Sequence, residues 1–102
     1  MLEIHKEKIR LSQGDHVTMK MVTKFNGEEY ALQHGDVVEF TISKQDIEII
    51  NKTFTSNLIV LTASETAKLK PGKYRYDIKI HFNEGVDIAL TYPHDLEVVE
   101  RL

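Results

Sequence analysis

The chain has 102 residues, 41% hydrophobic and 28% charged, and a formal charge of −3 from 13 basic and 16 acidic residues. That is one globular domain, 1–102, with neither the polar excess of a disordered chain nor the basic face of a nucleic-acid binder. Cysteine is absent, which excludes disulfides, thiolate chemistry and cysteine-ligated zinc.

The first residues, Met1 to Lys8, carry charge where a signal peptide needs an apolar stretch. No window approaches the roughly 18 apolar residues of a membrane span, and no run of Lys and Arg forms a patch for anionic lipid. The expectation is synthesis in the cytoplasm without export, and no membrane partner. Asn51-Lys52-Thr53 fits the N-glycosylation pattern, which carries no weight without export.

Leu2 to Leu11 reads as an outer strand, and the alternating charges from Glu3 to Arg10 suit either pairing with another chain or protection against it. Turn signals then recur about every ten residues, as in a multi-stranded sandwich. They are Gln13-Gly14-Asp15, Asn26-Gly27, His34-Gly35-Asp36, Ser56-Asn57, Pro71-Gly72, Asn83-Glu84-Gly85 and Tyr92-Pro93-His94-Asp95.

Between these signals the residues alternate. Val17, Met19, Met21, Thr23 and Phe25 form one inward row, with His16, Thr18, Lys20 and Lys24 outward. Val38, Phe40 and Ile42 form another, against Glu39, Thr41 and Ser43. Asp46 to Phe54 fits neither the strand nor the helix period. Leu58 to Leu61 is a short apolar run suited to burial on both faces or to a sheet corner.

Thr62 and Glu65 have capping-box spacing, so one short helical turn is expected near 63–69, ended by Pro71-Gly72. Tyr74, Tyr76, Ile78, Ile80 and Phe82 then face one way, and Arg75, Asp77, Lys79 and His81 the other. Val86, Ile88, Leu90 and Tyr92 continue the inward row, making a hairpin with Asn83-Glu84-Gly85 as its loop. Leu96 to Val99 reads as a last outer strand.

No residue is singled out as catalytic, cofactor-binding or metal-ligating. The five histidines, His34 and His94 beside turns among them, lack HxH or HExxH spacing. Ser12, Ser43, Ser56 and Ser64 sit in turns or caps without a nucleophile-elbow frame. Glu28-Glu29 follows a turn, where acidic residues are simply soluble. Tyr30, Tyr74, Tyr76 and Tyr92 would suit a sugar-stacking surface, but three of them fall on inward rows, which points to core packing.

Two stretches resemble a known family. The first is Gly14-Asp15, then Asn26-Gly27-Glu28-Glu29-Tyr30-Ala31-Leu32 leading into Val37-Val38-Glu39-Phe40-Thr41-Ile42. The second is Ile59-Val60-Leu61-Thr62, Glu65-Thr66, Leu69 and Pro71-Gly72-Lys73-Tyr74-Arg75-Tyr76-Asp77-Ile78. From Gly14 to Val98 the chain resembles the immunoglobulin-like domain at the N-terminus of phage baseplate upper proteins. The resemblance implies an all-β fold, an antiparallel Ig-like β-sandwich. It also implies a non-enzymatic virion role, in a phage or prophage tail or baseplate. The partners would be other virion proteins or further copies of the chain, with no nucleic acid and no cofactor. In the family this domain heads a longer protein, whereas this sequence ends at Leu102, which suits a free-standing small virion protein or the domain alone. The matched positions look like fold determinants, so no functional residue carries over. The alternative is a carbohydrate-binding or adhesion sandwich.

Overall fold

The computed structural model describes residues 2–5, 8–25, 27–83, 85, 87–89 and 94–100, and the side chains of 8–22, 27–83, 85 and 94–100. Among the described residues the fold is all-β with one short helix. The strands are β1 (Leu2–His5), β2 (Lys8–Ser12), β3 (Val17–Lys20), β4 (Thr23–Phe25), β5 (Glu28–Tyr30), β6 (Val37–Lys44), β7 (Ile47–Phe54), β8 (Leu58–Leu61), β9 (Gly72–His81), β10 (Asp87–Ala89) and β11 (His94–Val99). Helix α1 (Ala63–Ala67) lies between β8 and β9.

Among the described residues, seven strands form one sheet in the order β1-β2-β11-β9-β6-β7, with β10 also on β9. β3 pairs with β8, and β4 with β5, as separate two-stranded sheets. β10 and β11 both run antiparallel to β9, opposite Lys79–His81 and Gly72–Tyr76 respectively. β2 and β11 are parallel, with Leu96 opposite Ile9 and Val98 opposite Leu11.

The alternation expected of β9 is present: Tyr74, Tyr76 and Ile80 are buried while Arg75 and Lys79 are exposed. Val38, Phe40 and Ile42 of β6 are fully buried, since every second residue of a strand faces the same side. Val17 and Met19 of β3 and Ile59 and Leu61 of β8 join Ile9, Leu11, Phe40, Ile42, Leu96 and Val98 in one core, so the large sheet and the β3–β8 pair share it. Each large side chain so buried contributes about 1.5–3 kcal/mol.

Local chemistry closes α1. The Glu65 amide donates to the Thr62 hydroxyl, and Glu65 Oε1 accepts from the Thr62 amide at 2.8 Å, completing the capping box read from the sequence. Thr66, fully buried, donates to the Asp15 carbonyl at 2.7 Å and fastens the helix to the turn after β2. The Tyr74 hydroxyl donates to the Lys70 carbonyl at 2.6 Å and holds the Pro71-Gly72 turn against the start of β9.

Several expectations change. Leu2–Leu11 is a hairpin of two strands, and β2 lies inside the sheet between β1 and β11. Likewise β11 is an interior strand, because its parallel pairing with β2 covers the side that β9 does not. His94 and Asp95 open β11 instead of belonging to a turn. Leu58–Leu61 alternates, with Leu58 44% exposed, so that strand is buried on one face only. The row from Val17 ends at Lys20, and Thr23–Phe25 forms β4, whose side chains lie outside the described set. Of the last hairpin strand, Asp87–Ala89 is present and pairs with β9, while Val86, Leu90 and Tyr92 lie outside the described residues.

Candidate functional site

Three polar clusters mark this frame, and each ties one segment of the fold to another. Asp36 is buried and accepts from the Gln33 amide at 2.9 Å, the Tyr30 hydroxyl at 2.6 Å and the Asn83 amide at 3.0 Å. The Tyr30 bond first, then the two amides, hold its carboxyl below the ordinary value. This joins the loop after β5 to the turn after β9. The fit is close: a Cβ on Gly35, whose φ is +92°, would lie 2.6 Å from the Asn83 side chain.

On the polar face of the large sheet, His81 Nε2 meets Glu39 Oε1 at 2.6 Å. The Asn51 amide donates to Glu39 Oε2 at 2.5 Å and to the Thr41 hydroxyl at 3.0 Å. His81 and then Asn51 lower the Glu39 carboxyl. The cluster crosses β9, β6 and β7 and acts as a polar clasp over the sheet. The third cluster is Lys52, which donates to Glu65 at 2.8 Å and to the Val60 carbonyl of β8 at 2.9 Å. Among the described residues, no three His, Asp or Glu side chains converge as a metal set would.

The remaining sequence candidates are dispersed. His16 and His34 are exposed, and the His94 ring lies 6.0 Å from that of Tyr76. Ser12 ends β2, Ser43 lies on β6, Ser56 follows β7 and Ser64 is in α1, so the four serines share no site. Glu28 and Glu29 are exposed on β5. Tyr74 and Tyr76 are buried, and Tyr30 sets its ring edge-on to Phe82 at 5.7 Å while its hydroxyl is held by Asp36. These tyrosines are spent on packing.

The feature that sequence reasoning missed is the tip of the β6–β7 hairpin. Gln45 and Asp46 both have positive φ, +52° and +64°, between the paired residues Lys44 and Ile47. A two-residue loop with both φ positive is a type I′ turn, a geometry that favours Asn-Gly. Beyond it Ile42 pairs with Ile50 and Ser43 with Glu48, leaving Ile49 as the extra residue of a β-bulge. Ile47 is 64% and Ile49 47% exposed. Ser43, Gln45, Asp46 and Arg75 line a cleft of about 290 Å³ at this end of the hairpin. The available signal was faint: two β-prone runs separated by polar residues without a glycine.

Compared with protein-family models and with curated proteins, the chain matches none.

Proposed function

We propose that the chain is a non-enzymatic structural component of a phage or prophage tail or baseplate, built as an Ig-like β-sandwich and acting through protein–protein contacts. The observation that carries this reading is where the resembling run falls. Ile59 to Leu61 is most of β8, Thr62 to Thr66 is the capping box and α1, and Pro71 to Ile78 is the turn and first part of β9. That path leads from the small β3–β8 sheet through the helix into the middle of the large sheet, with Leu61, Leu69, Tyr74 and Tyr76 in the core. The residues that carry the resemblance are ones on which this fold depends, which supports the reading of a common scaffold.

The polar clusters agree with a scaffold role, because Asp36, Glu39 and Glu65 each spend their carboxylates on joining elements. The exposed apolar tip of β6–β7 supplies a surface for neighbours.

Immunogold labelling of particles from the strain carrying this coding sequence tests the reading. Label at the tail or its tip is expected. Label confined to the cell debris, with bare particles, would overturn it.

A further inference from the structure

β3 pairs with β8 alone, and the Met21 amide extends that ladder by donating to the Asn57 carbonyl at 2.7 Å. Opposed residues of an antiparallel pair alternate between exchanging hydrogen bonds and turning their N–H and C=O groups away. Since Met21 bonds to Asn57, Met19 bonds to Ile59 and Val17 to Leu61, while Thr18, Lys20, Leu58 and Val60 point outward. On β8 side chains hold that outward edge: Lys52 donates to the Val60 carbonyl at 2.9 Å, and the Leu58 amide donates to the Ser56 hydroxyl at 3.3 Å. On β3, among the described residues, nothing meets the outward groups of Thr18 and Lys20, and both residues are exposed.

We infer that the outer edge of β3 receives an extended segment of a partner protein as an added strand, with acidic side chains beside Lys20. This rests on the reading that the chain works through protein contacts, and it names the edge and the partner's backbone form and charge.

Backbone geometry selects the form of the occupant. The edge strand β7 is guarded by its bulge and by Lys52, which stands opposite the buried Phe40 on the core-facing side. Bulges and inward-pointing charges are devices that block strand addition. β3 has neither: its register with β8 runs without a shift, and its inward residues, Val17 and Met19, are apolar and buried. The outward N–H and C=O groups of Thr18 and Lys20 match the ladder of an extended chain, whereas a helix has already spent its own. Charge selects which chain. Lys20 lies on the exposed face, and neither β3 nor β8 contains a carboxylate. A second copy using all of these groups about a two-fold axis sets Thr18 opposite Lys20 and brings two lysines together on one face with no acid between them. Lys20 therefore works against self-pairing and in favour of a strand carrying Asp or Glu. Side chains of the added strand alternate, so one set lies level with Val17 and Met19, where apolar groups suit, and the acidic set beside Thr18 and Lys20.

The test uses three synthetic peptides: one alternating Val and Glu, one alternating Val and Lys, and the Val/Glu peptide with its amides N-methylated. Binding is followed by amide hydrogen exchange of the whole chain. The Val/Glu peptide is expected to bind and to slow exchange at the Thr18 and Lys20 amides at least about tenfold, leaving Val17 and Met19, already bonded to β8, unchanged. The Val/Lys and N-methylated peptides should bind at least about tenfold more weakly, the first for its charge and the second for its missing donors. Thr18→Pro removes an outward N–H without touching the β3–β8 bonds and should weaken binding similarly. Lys20→Glu, a surface change, should narrow or reverse the preference between the Glu and Lys peptides. The inference fails if the Val/Glu peptide leaves Thr18 and Lys20 unprotected, if the N-methylated peptide binds as well, or if Lys20→Glu keeps the wild-type preference. It also fails if sedimentation of the chain alone shows a dimer that Thr18→Pro abolishes, since a second copy then holds the edge. Immunogold labelling of wild-type particles reads the broader function independently.

Discussion

Lys52 on β7 reaches Glu65 of α1 at 2.8 Å, and through the Val60 carbonyl it also holds β8. One ammonium therefore joins an edge strand of the large sheet, a strand of the small sheet, and the helix between β8 and β9.

Glu65→Gln keeps the shape but removes the charge that accepts from both Lys52 and the Thr62 amide. Hydrogen bonds to a charged group are worth about 1.5–3 kcal/mol when shielded, and this pair is about a quarter exposed, with side chains 24% and 27% accessible. A loss of about 1–2 kcal/mol is expected, which thermal denaturation reads as a Tm drop of several degrees. Lys52→Val should lose the same tie and also remove the inward charge of the edge strand. Light scattering is expected to show concentration-dependent aggregation of that variant.

Acid should unfold the domain through its tied carboxylates. Asp36 and Glu39 are lowered from ordinary values of 3.8 and 4.5 by their hydrogen bonds. At Glu65 burial pushes upward, and bonds from Lys52 and Thr62 outweigh it, leaving it below 4.5. With the folded value below the unfolded one, the unfolded chain binds more protons in the window between them. The stabilisation is therefore complete above the unfolded values and lost as pH falls through the folded ones. Tm should decline below about pH 4.5, and Asp36→Asn should have a lower Tm at neutral pH and a shallower acid slope.

Relieving the hairpin tip should stabilise the chain. Gln45→Asn with Asp46→Gly gives the type I′ turn the residues it favours, and a left-handed residue other than glycine costs about 1–2 kcal/mol. A gain of about 1 kcal/mol is expected, read as a higher urea midpoint with an unchanged m-value. An unchanged midpoint would show that the turn is not strained.

Much of the fold was legible because its signals are local. The period of two from Tyr74 to His81 sits on one strand, and Thr62 and Glu65, three positions apart, form the capping box at the start of one helix. β7 was illegible for a physical reason: the bulge at Ile49 shifts its parity, so Ile47 to Phe54 follows no single period. Gln45-Asp46 lacks the glycine or asparagine that usually marks such a turn. The interior placement of β2 and β11 depends on their parallel pairing, which leaves no mark in either segment. Asp36 looked like an ordinary turn residue, since its partner Asn83 is 47 positions away.

The shared core should fail as a unit. Phe40 is fully buried and stacks on Tyr76 at 5.7 Å. Phe40→Ala should cost about 3–5 kcal/mol, a large part of the stability of a domain this size, and circular dichroism should show a Tm lower by well over ten degrees.

The proposed structural role in a particle is open to quantitative mass spectrometry of gradient-purified particles. Peptides of this chain are expected to co-sediment with infectious particles at a fixed ratio to the tail proteins, gradient after gradient. Particles free of the chain, with all of it in the soluble fractions, would contradict it.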